Sequence, residues 1–288
     1  MAHLRPPAVA GQFYEGTGEA LAHQVEACFL DRRGPGELPV RHRSADRHVR
    51  AIIVPHAGLL YSGPIAALGF SRVAAERPPA HVLVLGVDHQ GASTGAALSD
   101  EDWETPLGRV PADPDLIRTL HRPPIPIDNT AHAGEHSIEV ELPFLQYVLP
   151  APRFAALMVR FGPLSHLRTI GRVVREAVKD RDVLLVGSTD FSHYIPAEDA
   201  RAMDAQAIRP ILERDAGGLY ETVRSQDISM CGVAPVTALL AAIADEPLTA
   251  RLLRWGHSGE SERMPTVVGY AAIVLESAAP LSPGPSAG

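Results

Sequence analysis

Arg50-Ala51-Ile52-Ile53-Val54, followed at once by Pro55-His56-Ala57-Gly58, decides how this chain is read. A short, continuous apolar run ended by a proline describes a strand buried on both faces. The same type recurs in HVLVLG (81–86), FAALMV (154–159) and DVLLVG (182–187). Helical patterns over 64–75, 138–149 and 166–178 lie between these runs. Strands alternating with helices predict an α/β fold: a single domain with a mixed, largely parallel central sheet flanked by helices. Further helices are expected over 198–213, 216–225 and 233–243, and strands over 250–256 and 267–275. Cys28 falls in register with Leu21, Val25 and Phe29 on one helical face and is expected in the core. The domain is expected to span residues 1–276, ahead of a tail, 277–288, of disordered composition. Segments 32–48 and 121–136 read as loops, the second with Ser137 as the cap of the helix that follows.

Charge narrows the function classes. The net charge is −8, which disfavours nucleic acid and anionic membrane surfaces as partners. Lys179 is the only lysine among 26 basic residues; Arg32, Arg33, Arg41, Arg43, Arg47 and Arg50 form a local run expected in a solvated loop. No stretch approaches the ~20 apolar residues of a membrane span, and no secretory signal is visible. Two cysteines far apart, Cys28 and Cys231, describe a reducing, cytoplasmic setting rather than a disulfide framework.

The polar residues of interest follow the apolar runs. His56 follows the first strand and His89 the second; Asp190 and His193 follow DVLLVG in Ser188-Thr189-Asp190-Phe191-Ser192-His193. Ligands of open α/β sheets bind beyond the carboxyl ends of the strands, so these residues are expected to share a crevice. Cys231, just ahead of a helix, is placed where a helix N-terminus favours thiolate, the form that binds metals. Each has a plain structural reading too: a turn histidine, a turn-forming aspartate, a surface histidine, a small buried hydrophobe. His132 and His136 have the i, i+4 spacing of a zinc helix, but the sequence is His-Ala-Gly-Glu-His, not His-Glu-x-x-His. His136 is therefore expected beside the crevice, as a substrate contact or a support for the ligands. Glu139 and Glu141 read equally well as capping and packing groups. Phosphate-binding, dinucleotide-binding and nucleophile-elbow motifs are absent from the sequence.

Taken together, RPPAVAGQFY (5–14), AIIVPHAGLLYSG (51–63), LGVDHQG (85–91), EHSIEVELPFLQ (135–146), STDFSHY (188–194), MCGVAP (230–235) and VVGYAAIVL (267–275) resemble the Memo family, the AmmeMemoRadiSam system protein B group. The resemblance implies a fold like that of class III extradiol dioxygenases. It implies iron or copper held by two histidines and a cysteine, here His56, His89 and Cys231. Asp190 and His193 would line the same pocket, His193 as the acid/base residue. It also implies a functional link to radical SAM and AMMECR-type proteins. The chain departs from the family pattern at His89-Gln90, where many members have adjacent histidines, and this bears on a pocket contact at Gln90. Fe(II) is the first expectation for the ion, with Cu(I) or Zn as alternatives. Three functions follow: an iron-dependent, dioxygenase-like redox enzyme on a small molecule; a non-catalytic metal-binding or partner protein controlling iron or copper availability; or a zinc hydrolase.

Overall fold

A computed structural model describes residues 4–41 and 43–283. The four apolar runs are strands β2 (Val49–Val54), β3 (His81–Val87), β7 (Phe154–Val159) and β8 (Val183–Ser188). They form the parallel centre of one sheet in the order β2-β8-β3-β7. Three antiparallel strands complete it. β11 (Val267–Ser277) and then β10 (Leu248–His257) lie beside β2, and β4 (Ala96–Ser99) lies beside β7. The short β9 (His193–Ile195) pairs with the start of β11. A second small sheet joins β1 (Leu4–Arg5), β5 (Asp102–Thr105) and β6 (Gly108–Val110).

Helices cover both faces, which is why the central strands are apolar on both sides. Successive residues of β2 show it: Ala51 and Ile53 pack into one core, Ile52 and Val54 into the other. The second core is covered by α1 (Gly18–Leu30), α2 (Leu59–Ala74) and α5 (Leu142–Val148), and Cys28 sits in it as expected. The first core is covered by α3 (Pro114–Leu120), α6 (Leu164–Val178), α7 (Ala197–Leu212), α8 (Ala216–Ser225) and α9 (Val233–Ala242). A single turn, α4 (Asn129–His132), interrupts the 121–136 loop.

Some boundaries differ from the sequence reading for clear reasons. Helix α2 begins at Leu59, five residues before Pro64, where a helix start had been expected. Pro64 has no N–H for the Leu60 carbonyl, and Ser261 Oγ donates to that carbonyl instead at 3.2 Å. Ser137 does not cap a helix. Its Oγ accepts from Val87 N (2.8 Å) and donates to Val87 O (3.2 Å), clasping the end of β3; a 3-10 turn over Glu139–Glu141 then leads into α5. The arginine run is not all solvated. Arg47 and Arg50 are buried, Arg47 paired with Asp182 and Arg50 with Glu246 at 2.8 Å, while Arg77 holds the other Asp182 oxygen at 2.5 Å. Of the expected tail, residues 284–288 lie outside the described residues. Leu281 N donates to Arg47 O at 2.7 Å. Among the described residues no helix is long and apolar enough to cross a membrane.

Candidate metal centre

The strand order brings the polar strand ends together. β8 lies between β2 and β3, so the segments after Val54, Ser188 and Val87 leave the sheet side by side. Three cross-links tie the segments after Val54 and Ser188 to each other and to Cys231. Asp190 Oδ1 accepts from His56 N (2.9 Å), Thr189 N donates to Val54 O (2.9 Å), and Cys231 Sγ accepts from Asp190 N (3.2 Å). Gly232 lets the Cys231 segment approach: a Cβ there would lie 2.3 Å from Thr189 Cβ, and Gly232 N donates to Thr189 Oγ1 at 3.0 Å.

His56, His89 and His136 converge, with one potential ligand atom from each within 4.8 Å of the others. Their ring centroids are 5.3 Å (His56–His89), 5.5 Å (His56–His136) and 4.7 Å (His89–His136) apart. His136 thus joins the cluster itself rather than standing beside it. Cys231 Sγ lies 3.4 Å from His56 Nε2. Two donors on one tetrahedral ion, with metal–N near 2.0–2.1 Å and metal–S near 2.3 Å, sit roughly 3.5 Å apart. The cysteine–histidine pair has the spacing of donors that share an ion.

The imidazoles are held in the form that binds metals. Burial lowers the pKa of His56 well below the ordinary range, and the neighbouring His136 and His89 add to the effect. Burial likewise lowers His136, against the pull of Glu135. His89 Nδ1 lies 2.9 Å from Glu135 Oε1. Glu135 also accepts from the backbone N–H groups of His89, His136 and Ser137, each at 2.9 Å. Burial works to raise the Glu135 pKa, but the His89 hydrogen bond, with these N–H donors, holds it below the carboxylate range. An ionised Glu135 makes Nδ1 the protonated nitrogen of His89 and leaves Nε2 free, the carboxylate–histidine–metal arrangement. No signal in the sequence separated Glu135 from its structural neighbours Glu139 and Glu141.

The thiol differs from the sequence expectation. Burial, and then the Asp190 charge, push the Cys231 pKa up, against the lowering effect of the Asp190 N–H and the Thr189 hydroxyl. Asp190 is buried, and burial raises its pKa to about 6; the His193 charge and the N–H groups of His56 and Ala57 oppose the rise. A carboxyl whose folded pKa is raised stabilises the fold below its unfolded value, near 3.9, and loses that contribution as pH rises through the folded value. In chelator-treated protein, Asp190→Asn should therefore remove a fall in stability between about pH 4 and 6. Urea unfolding across that range checks it, and an unchanged slope would refute the assignment.

His193 stands on β9 with its backbone N–H on Ser229 Oγ (2.7 Å) and its Nδ1 2.8 Å from Ser229 O. A carbonyl only accepts, so Nδ1 carries a proton, and in the neutral ring Nε2 is the acceptor. The next residue, Tyr194, has φ 57°, a left-handed conformation uncommon outside glycine. His56, His89, His136, Asp190 and His193 all border one cleft of 540 Å³. Phe13, Tyr61 and Tyr270 form apolar parts of its wall, and Phe13 packs on His136 with centroids 4.6 Å apart. Gln90, expected as a substrate contact or a support for the site, is not on that wall: it is exposed, and its amide donates to Gly134 O at 2.8 Å, on the loop that carries Glu135 and His136.

Fold and site together define an α/β protein with a cleft of histidines beyond the parallel strands and a thiol against one of them. The Memo-like protein family model matches residues 5–274, and the chain belongs to that family. A MEMO1 family protein of Methanopyrus kandleri is 39% identical, over 94% of this chain and 98% of that protein. One from Thermotoga neapolitana is 37% identical, over 94% and 99%. An uncharacterized protein of Escherichia coli K12 has a similar structure, with TM-score 0.56, 15% identity, and coverage of 78% of this chain and 99% of that one. That likeness concerns the fold alone.

Proposed function

We propose that this protein binds one metal ion through His56, His89 and Cys231, with His136 as a further imidazole donor, and acts as an iron-dependent, dioxygenase-like oxidoreductase on a small molecule in the cleft. The observation that carries the reading is the convergence of three imidazoles, each within ligand reach of the others, with a thiol 3.4 Å from one of them. Fe(II) would supply a redox centre and Lewis acid, while a thiolate donor also suits Cu(I) or Zn. His193 accepts a proton from substrate at Nε2, its ring held by Ser229. Asp190 fixes the His56 backbone and the Cys231 sulfur on either side of it. Phe13, Tyr61 and Tyr270 give the cleft an apolar wall for a small organic substrate. Two free cysteines and a net charge of −8 fit a reducing cytoplasm and a small-molecule partner.

A second reading, a metal-binding protein that controls iron or copper availability without catalysis, draws on one feature. The His89 side chain is 31% exposed, so solvent reaches the proposed ion's surroundings.

Metal analysis of anaerobically purified protein, then oxygen uptake with phenols and thiols, tests both. One iron per chain with oxygen consumption is expected; bound metal without any uptake favours the second reading, and absence of metal sinks both. Zinc with hydrolytic turnover would make the protein a zinc hydrolase. Cys231→Ser should lose metal, and full retention of stoichiometry and affinity would remove Cys231 from the ligand set. His193→Ala should keep metal and lose at least ~10²-fold in turnover; unchanged turnover removes its role.

A further inference from the structure

Ser188 Oγ is the meeting point of three groups: His56 Nδ1 at 2.8 Å, Ser137 O at 2.7 Å and Glu141 Oε1 at 2.7 Å. A serine hydroxyl has one proton and two acceptor sites. Ser137 O can only accept, so it takes the Ser188 proton, and the other two groups must donate. His56 does so through Nδ1–H. Glu141 does so only as a carboxylic acid.

The surroundings of Glu141 agree with this proton count. It is fully buried, Ser188 is its hydrogen-bonding partner, and Oε2 has no partner among the described residues. An ionised carboxylate there would be an uncompensated buried charge; an acid leaves only an underused carbonyl-type oxygen. Burial pushes the Glu141 pKa well above the carboxylate range, and the Asp190 charge adds to the rise.

We propose that Glu141 and Ser188 are positioning residues, a neutral acid–hydroxyl relay that holds His56 as its Nδ1–H tautomer and presents Nε2 to the cluster. The two imidazoles are then backed unequally. His89 leans on the Glu135 carboxylate, which enriches it as a donor; His56 leans on an uncharged pair, which does not. The tautomer stands on the hydrogen bonds alone, while its consequence for an ion rests on the metal-binding reading above.

Three measurements test the relay. Glu141→Gln replaces the acid O–H with an amide N–H of the same shape. It should leave the His56 ring-nitrogen NMR signals in the Nδ1–H pattern and keep Fe(II) or Zn(II) affinity within about threefold of wild type. An infrared difference between wild type and Glu141→Gln should contain the C=O band of a protonated carboxyl. Ser188→Ala should give a mixed His56 tautomer and lower metal affinity about ten- to a hundredfold, with His89 signals unchanged. A tenfold or larger loss in Glu141→Gln, or carboxylate bands in the infrared difference, would overturn the proposal by showing that an ionised Glu141 is required. Unchanged His56 signals and affinity in Ser188→Ala would overturn it too. Should Ser188→Ala fail to fold, Glu141→Gln and the infrared measurement still decide. If wild type binds no metal, the functional reading fails, and the metal-free NMR and infrared results still judge the relay.

Discussion

Glu139→Leu should destabilise the protein by about 3–5 kcal/mol, the cost of stranding a buried charge by removing its partner. Glu139 is fully buried. Its Oε2 holds Arg5 Nη1 at 2.7 Å and accepts from Ala8 N at 2.8 Å. Its Oε1 accepts from Val9 N at 3.0 Å and from the Tyr14 hydroxyl at 2.5 Å. Leucine leaves two backbone N–H groups, a phenol and the Arg5 guanidinium without this partner. Arg5 keeps only its bonds to His132 O (2.8 Å), Glu135 O (2.6 Å) and Pro6 O (3.4 Å), and its stacking on Trp103. The segment so released carries Phe13, a wall of the cleft, so the site should loosen with the fold. Urea unfolding with hydrogen exchange at Ala8 and Val9 measures both effects. A loss below about 1 kcal/mol would mean that water or a shifted side chain replaces the carboxylate.

The second large effect is expected at Glu135. Glu135→Ala should weaken metal binding about ten- to a hundredfold, as is typical when the group behind a ligating histidine is removed. His89 loses the partner of both its ring Nδ1 and its backbone N–H, and His136 and Ser137 lose their N–H acceptor. Two of the three clustered histidines are thereby set free. The pH dependence has a definite sign. A carboxylate whose folded pKa is lowered adds stability that is present above its unfolded value, near 4.3, and is lost as pH falls through the folded value. The variant should therefore be less stable at neutral pH and show a shallower acid limb. Metal titration, with unfolding measured from pH 7 down to pH 3, checks both parts. Wild-type affinity together with an unchanged acid limb would deny Glu135 this role.

Glu135 and Gln90 show where sequence reasoning about the site stops. Both neighbour histidines in the chain, yet only Glu135 reaches one, because the 132–136 loop folds back over the end of β3 and Ser137 clasps Val87 there. Gln90 is spent on the same loop from outside. The short strands β4, β5 and β6 escaped the sequence reading for a related reason. Runs of three or four residues such as Asp102-Trp103-Glu104-Thr105 carry too little periodicity, and they become strands only because β7 offers an edge to β4, β1 to β5, and β5 in turn to β6.

The stretch around Arg50–Gly58 and its three counterparts needed no tertiary information to be placed. Runs apolar on both faces have no stable place except the centre of a covered parallel sheet, and His56, His89 and Asp190 follow those runs directly. Which side chains back them depends on how the strands assemble. The strand order put Ser188 and Glu141 behind His56, Glu135 behind His89, and His136 among the ligand candidates. Local sequence encodes burial and period. Hydrogen-bond partners 46 and 132 positions apart, as at His89–Glu135 and His56–Ser188, are fixed by the order in which the strands pair.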